Sequence, residues 1–453
     1  MKRKSWRIKA ACCAAAALFL LSGCDFVPAD PSDLIQPPKL TTEQQAIETA
    51  LEKSVKGKFT LQYPQEGDYR SSFILKNLDS DGEQEAIAFY RPDSENAGTH
   101  IQILDKVKGV WRKMTDISGE GNGNEVELID FGDFNGDGKT DLAIGWTQFT
   151  SVNDLSLTVY SDTGTGATKI SSNTFTKMKV LDMTGDGRQD ILLLKQDATA
   201  KKTVVQLVSE RGGMLTDVST RPLDNTVSSY AGLYTTKVDG AGNGVLIDGY
   251  KGAHSMITEL VYWKNGALHA PFYDAFRGVT TATLRDTPLT CRDMDGDGTY
   301  EIPFAVELAG YEKKDYAEKL WLVRWCAYKN SPSPRDMFSK KLSCVFNSVG
   351  HYYFIFPDGS WDSEVTIERR NSDADWIFRQ WDPVKRQSGR MLFEIRTLAS
   401  ADGTLLIKGR SPYTLLSQND NVTYLLMMGQ KQGNNDPLYL SQDEIRKDFR
   451  IFE

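Results

Sequence analysis

Four short stretches place oxygen-bearing side chains at positions 1, 3, 5 and 9 of a nine-residue window, with glycine at position 6. They are Asn77, Asp79, Asp81 and Glu85 around Gly82; Asp133, Asn135, Asp137 and Asp141 around Gly138; Asp182, Thr184, Asp186 and Asp190 around Gly187; and Asp293, Asp295, Asp297 and Glu301 around Gly298. Glycine lets the backbone curl, so that alternate side chains and the position-7 carbonyl converge on one point. Hard oxygens converging in this way suit calcium, which takes six to eight of them at roughly 2.3–2.6 Å. Without a cation, three or four carboxylates a few ångströms apart repel one another. The competing reading treats Asp, Asn and Gly as turn formers that cap strands without metal, but a turn has no need of an acid at position 9. An EF-hand is excluded at position 12, where a bidentate Glu on a helix is required and Ala88, Ile144, Leu193 and Phe304 stand instead. Thr184 makes the third stretch the weakest. A fifth, Lys237 to Val245, keeps Asp239 and Gly242 but has Lys237, Ala241 and Val245 where acids are expected, and is predicted to bind nothing.

The five stretches start 56, 49, 55 and 56 residues apart, and each runs into a short apolar segment such as Leu142-Ala143-Ile144-Gly145-Trp146 or Ile191-Leu192-Leu193-Leu194. Such runs read as buried strands. About thirty residues beyond each of four starts comes a hairpin signal: Lys108-Gly109, Gly164-Thr165, Gly212-Gly213 and Asn265-Gly266. Each period therefore holds three to four strands and no helix, as in a propeller blade. Asp-x-Asn-x-Asp-Gly-x-x-Asp loops at this interval resemble the FG-GAP/VCBS repeats of integrin-type β-propellers. That resemblance covers about residues 60 to 330 and implies a mainly β propeller of about 50-residue four-stranded repeats with calcium held in its loops. The expected ligands are the four sets named above, and calcium is the expected cofactor.

The N-terminus carries Lys2, Arg3, Lys4, Arg7 and Lys9, then an apolar run from Ala10 to Leu21 that is short for a membrane span. It ends in Leu21-Ser22-Gly23-Cys24, which resembles the lipobox of bacterial lipoproteins. The resemblance implies a signal peptide over 1–23, acylation of Cys24, anchoring in a lipid bilayer and an extracytoplasmic chain. Residues 24–58 are expected to form a tether rich in proline (Pro28, Pro31, Pro37, Pro38) and a short helix near Thr41 to Val55. The repeats then fill 59–330. The Pro/Ser stretch Asn330 to Pro334 suggests a boundary, with a small α+β domain over 335–453 whose last helix, near Ser441 to Phe449, opens on a Ser441/Glu444 capping box. The alternative is that its strands supply further blades.

Composition narrows the function. The chain has 53 basic and 61 acidic residues, a formal charge of -8, which disfavours nucleic acid as a partner and favours cations. Removal of the five N-terminal basic residues would deepen that balance. Cys291, Cys326 and Cys344 lack metal-ligand spacing and allow at most one disulfide. The four histidines, His100, His254, His269 and His351, form no zinc-type pair, and there is no nucleophile elbow, phosphate-cradling loop or dinucleotide fingerprint. Trp111, Trp146, Trp263, Trp321 and Trp325 could stack on sugars, although packing between blades accounts for most of them. The expectation is a lipid-anchored module that binds or scaffolds an extracytoplasmic protein or glycan. A calcium-dependent polysaccharide-active enzyme and an envelope assembly factor are the alternatives.

Overall fold

A computed structural model of the chain describes residues 40–93, 98–119, 124–148, 151–161, 166–331, 333, 336–400 and 411–452. The segment expected to be a signal peptide, Cys24, the expected proline-rich tether to Lys39, the Gly164-Thr165 hairpin signal and the segment Leu405 to Ile407 lie outside them. The chain divides into two compact units, Met1–Ser54 and Val55–Glu453. In the first, the expected helix runs from Thr42 to Ser54. Thr41 and Gln44 cap it reciprocally, Gln44 N–H donating to Thr41 Oγ1 at 3.2 Å and Thr41 N–H to Gln44 Oε1 at 2.9 Å.

The second unit is built of antiparallel sheets in chain order. In the first, Phe59–Leu61 and Phe73–Lys76 pair with the two ends of Glu85–Pro92, followed by His100–Val107 and Val110–Ser118. The second holds Val126–Gly132, Asp141–Gln148, Ser151–Ser161 and Thr168–Phe175; the third Lys177–Leu181, Asp190–Asp197, Lys202–Arg211 and Met214–Pro222. The fourth holds Ser229–Val238, Gly242–Tyr250, Met256–Lys264 and Ala267–His269. The described hairpins turn where expected, with φ of 52° and 78° at Lys108-Gly109, 64° and 83° at Gly212-Gly213, and 51° and 78° at Asn265-Gly266. Positive φ at both central residues matches the twist of the flanking strands.

The continuous apolar runs are explained by burial on both faces. In the second sheet, Leu142, Ile144 and Trp146 pack with Ile87, Phe89 and Ile103 of the first sheet. Ala143 points the other way, toward Ile191 and Leu193 of the third sheet. Leu192 and Leu194 then face Val245 and Ile247 of the fourth. Each such side chain contributes about 1.5–3 kcal/mol on burial. The same stacking continues through Leu246 and Tyr262 to Ile302 and Tyr328.

The C-terminal region departs from expectation. The fifth sheet runs Ile302–Glu307, Trp321–Tyr328, Phe338–Asn347, Tyr352–Phe356 and Phe449–Ile451, so Trp321–Tyr328 and Phe338–Asn347 pair directly across the Pro/Ser stretch. The expected domain boundary at 330–335 thus falls inside a sheet, and the chain's last strand returns to it. The sixth sheet (Val365–Arg370, Asp375–Asp382, Gln387–Ala399, Val422–Met428, Thr414–Gln418) packs on the fifth through Phe354, Phe378 and Phe393. The helix Gln442–Asp448 has the expected Ser441/Glu444 capping box. Cys291, Cys326 and Cys344 are free and buried.

Candidate metal-binding loops

Each of the four acidic stretches runs into the strand that begins at or just after its position 9 (Glu85–Pro92, Asp141–Gln148, Asp190–Asp197 and Ile302–Glu307), and the four share one register. The residue before position 1 pairs with position 9: Lys76 with Glu85, Gly132 with Asp141, Leu181 with Asp190, and Arg292 with Glu301. Position 2 is apolar and fixes the loop to the core, with Leu78, Phe134, Met183 and Met294 buried. That position is a regular part of the repeat, and it was visible in the sequence beside the acids.

The position-9 carboxylates are 1% exposed or less. Each accepts the position-2 N–H: Leu78 to Glu85 at 2.6 Å, Phe134 to Asp141 at 2.9 Å, Met183 to Asp190 at 2.9 Å and Met294 to Glu301 at 2.9 Å. At position 1, Asp133, Asp182 and Asp293 accept from the glycine N–H groups of positions 4 and 6 at 2.7–3.0 Å, and Asn77 accepts from Ser80 at 2.7 Å. Position 5 accepts from the position-7 N–H at 2.8–3.0 Å in all four. Gly82, Gly138, Gly187 and Gly298 have φ between 81° and 97°, the left-handed region that the curl requires. Local backbone bonds thus shape all four loops, as turn chemistry alone would also do, but among the described residues three carboxylates converge only in the first loop, at Asp79, Asp81 and Glu85, and in the fourth, at Asp293, Asp295 and Asp297 without Glu301.

The remaining oxygens go beyond a turn. Glu85 Oε1, Asp141 Oδ1 and Glu301 Oε1 are buried with no hydrogen-bond partner. Burial pushes the Glu85 carboxyl above its ordinary range, that of Asp141 up to about 6 and that of Glu301 up to about 7. Neighbouring acids add to the effect, Asp79 and Asp81 at Glu85, and Asp295 and Asp297 at Glu301. Carboxylate oxygens of Asp79, Asp81 and Glu85 lie within 4.8 Å of one another, as do those of Asp293, Asp295 and Asp297. Glu85 combines an unpaired buried acceptor with clustered carboxylates, the environment that a divalent cation relieves. The all-oxygen donor set fits calcium.

Two loops contain cationic side chains, a feature that loop sequence alone did not disclose. Lys341, from Phe338–Asn347, places Nζ 3.1 Å from Asp295 Oδ2 and 2.9 Å from Asp297 Oδ2. Arg188 pairs with Asp186 at 2.9 Å and with Glu210 of the adjoining hairpin at 2.5 Å. These hydrogen bonds hold Asp186 and Asp297 below the ordinary carboxylate range. Among the described residues, no Lys or Arg pairs with the acids of the first two loops. Those loops touch through Ser80 Oγ, which donates to the Gly138 carbonyl at 2.8 Å. The fifth stretch closes as an ordinary turn, with Ala241 N–H donating to the Val238 carbonyl at 3.0 Å, and Lys237 Nζ donating to Asn243 Oδ1. Trp111, Trp146 and Trp325 are buried in packing, as expected. His100 pairs with Asp116 at 2.9 Å, His254 packs at a tilt against Tyr316 and His269 stacks on Tyr262, so these three lie apart.

Comparison with known proteins supports the repeat. Residues 128–168, which contain the second loop, match the FG-GAP repeat family. Curated proteins give no match. Solved structures that resemble the chain include an exotype rhamnogalacturonan lyase (11% identity, TM-score 0.31, covering 85% of this chain and 92% of the lyase). Others are a Bacillus licheniformis rhamnogalacturonan lyase (10%, 0.30, 81% and 91%) and an exo-β-1,3-galactanase from Phanerochaete chrysosporium (9%, 0.28, 76% and 72%).

Proposed function

We propose that the protein is a lipid-anchored extracytoplasmic lipoprotein whose sheets form a calcium-stabilised β-propeller, and that this propeller is a rigid module for binding or scaffolding a protein or glycan. The observation that carries the calcium reading is the buried, unpartnered position-9 oxygen, repeated at Glu85, Asp141 and Glu301. In each acidic loop the ion is held by positions 1, 3, 5 and 9 and by the position-7 carbonyl. It supplies charge neutralisation and fixes the loop ahead of the strand that follows position 9. Sheets stacked face to face in chain order, with the first strand Lys177–Leu181 touching both the first strand before it, Val126–Gly132, and the one after it, Ser229–Val238, support the propeller reading. The Leu21-Ser22-Gly23-Cys24 sequence supports the anchor. Two acyl chains with an acylated amine hold a protein firmly, at about 0.8 kcal/mol per buried methylene.

The anchor is tested by fractionation. Cys24→Ala should leave the protein unlipidated and free of the membrane, since among the described residues no helix is long and apolar enough to cross one. Retention of the variant in the membrane fraction would refute this reading.

A further inference from the structure

Away from the acidic loops, a short hairpin pairs Tyr273–Asp274 with Val279–Thr280, after the fourth sheet and before the fifth in chain order. Its tip carries Phe276, which at 98% is the most exposed large apolar side chain among the described residues. Asp274 braces the tip, its Oδ1 accepting the Phe276 and Arg277 N–H groups at 2.9 and 3.1 Å. The chain is fixed on both sides of this hairpin. Before it, buried Phe272 packs against Tyr328 and Phe338 of the fifth sheet. After it, the segment to Arg285 runs along Met256–Lys264. There Arg285 and Met256 exchange both backbone bonds at 2.9 Å, and Thr283 Oγ1 accepts the Thr258 N–H at 3.0 Å.

Between those anchors the hairpin sits on two buried carboxyls. Thr280 N–H donates to Asp224 Oδ2 at 2.8 Å, and Thr280 Oγ1 donates to Glu259 Oε1 at 3.0 Å. Thr280, Asp224 and Glu259 are each 1% exposed or less. The two acids are satisfied unequally. Asp224 also accepts from Lys251 Nζ at 2.8 Å and from the Thr226 N–H and hydroxyl at 2.8 and 2.6 Å, so both its oxygens are met. Glu259 Oε1 takes the Asp224 N–H at 3.0 Å as well, but Oε2 is buried with no partner among the described residues. An ionised carboxylate only accepts, so its charge would rest partly on an oxygen that no donor serves, which is costly. Burial pushes the Glu259 carboxyl up to about 7, and the Asp224 charge adds to the rise. Burial acts on Asp224 too, but the bonds from Lys251, Thr226 and Thr280 hold it below its ordinary range. The other titratable groups facing Glu259 are Tyr230 from Ser229–Val238 and Tyr273 from the hairpin, both raised by burial and so neutral. Lys251 is the cation that faces it, and that ammonium lies on Asp224.

We propose that Glu259 is a proton-operated latch: protonated, it seats the Tyr273–Thr280 hairpin, and ionised, it draws water to Oε2 and lets the hairpin swing out between Phe272 and Thr283. In the released hairpin the carboxyl meets water and titrates near the ordinary value of about 4.3. The seated state therefore binds the extra proton between that value and about 7. Its advantage is complete below the lower value, is lost as pH rises through the upper one and is constant beyond it. The test is hydrogen exchange of the detergent-solubilised full chain in calcium, read over residues 272–282. The Asn265-Gly266 hairpin of the fourth sheet serves as internal reference, which cancels the intrinsic effect of pH on exchange. Relative to it, exchange over 272–282 should be about tenfold or more faster near about pH 8 than near about pH 5.5, since each unit of pKa shift is a factor of ten. Glu259→Gln does not titrate and keeps an acceptor for Thr280, so it should hold that ratio constant. Thr280→Val loses one of the two bonds and should speed exchange at both pH values. A wild-type ratio that does not change between the two pH values would overturn the proposal, whether or not the Gln variant folds. So would a pH step that survives Glu259→Gln, or one shared by the whole of Met256–Lys264, which would be a general loosening of the sheet.

Discussion

The loop of the fourth sheet and the loops of its neighbours join equivalent strands, yet they close differently. In the acidic loops the ladder stops at pairs such as Gly132 with Asp141, leaving residues 77–84, 133–140, 182–189 and 293–300 outside it. Where Lys237, Ala241 and Val245 replace the acids, pairing runs on to Val238 with Gly242 and only residues 239–241 remain outside. The wide loop is therefore a property of its carboxylates and not of the repeat. The fourth sheet is instead fixed by side-chain cations. Arg285, from the segment that crosses it, pairs with Asp248 at 3.0 Å, both side chains being 1% exposed or less. Asp248 also accepts the Cys291 N–H at 2.6 Å and the Thr258 hydroxyl at 2.5 Å. Lys251 pairs with buried Asp224 at 2.8 Å.

Under the proposed calcium binding, the difference should divide the molecule's stability into a calcium-dependent part and a calcium-independent one. The largest effect is expected from chelation. At about one hundred times the dissociation constant a single site adds about 2.7 kcal/mol, and independent sites add together. Scanning calorimetry should show a marked fall in melting temperature with chelator, restored by calcium and poorly by magnesium, whose octahedral shell suits these loops badly. Melting indifferent to chelator would leave the turn-former account of the loops standing.

Next in size is Arg285→Met, which leaves Asp248 charged and buried. Removing one partner of such a pair costs about 3–5 kcal/mol. The loss should be the same with and without chelator, since distant sites add. A cost that disappears in chelator would couple the fourth sheet to the ions and break the comparison.

A third expectation separates the loops directly. Asp137→Ala should lower the calcium stoichiometry measured by titration calorimetry by one and cost about 2–3 kcal/mol in saturating calcium. Asp239→Ala, at position 3 of the degenerate loop, should change neither.

How far the sequence disclosed these features follows sequence distance. The acidic loops were legible because their bonds are local: Asp133 meets Gly136 and Gly138 within five residues. The Ser441/Glu444 cap was legible for the same reason. Partners brought together by strand pairing were not. Nothing near Asp248 points to Arg285, 37 residues away. Nothing in the Pro/Ser stretch shows that Trp325 and Leu342 are hydrogen-bonded neighbours. Proline and serine mark a break in the chain's local structure, and a sheet can bridge such a break from either side.

The smallest effect concerns Lys341, which lies 44 residues from Asp297 and was equally hidden. Its ammonium bridges Asp295 and Asp297, so a calcium ion entering the fifth sheet's loop must displace it. The side chain is 35% exposed, so water screens the pair and the competition is modest. Lys341→Met should tighten calcium at that loop by roughly two- to tenfold while slightly lowering the melting temperature in chelator, because the acids then lose the ammonium that pairs with them. The opposite signs of the two changes separate competition from a general effect on folding. Adding Asp297→Ala should erase the gain in affinity, since the site that Lys341 guards is then gone. If Lys341→Met left calcium titration unchanged, the ammonium would be a bystander. The fifth sheet's loop would then fall in one class with the two loops that lack a cation.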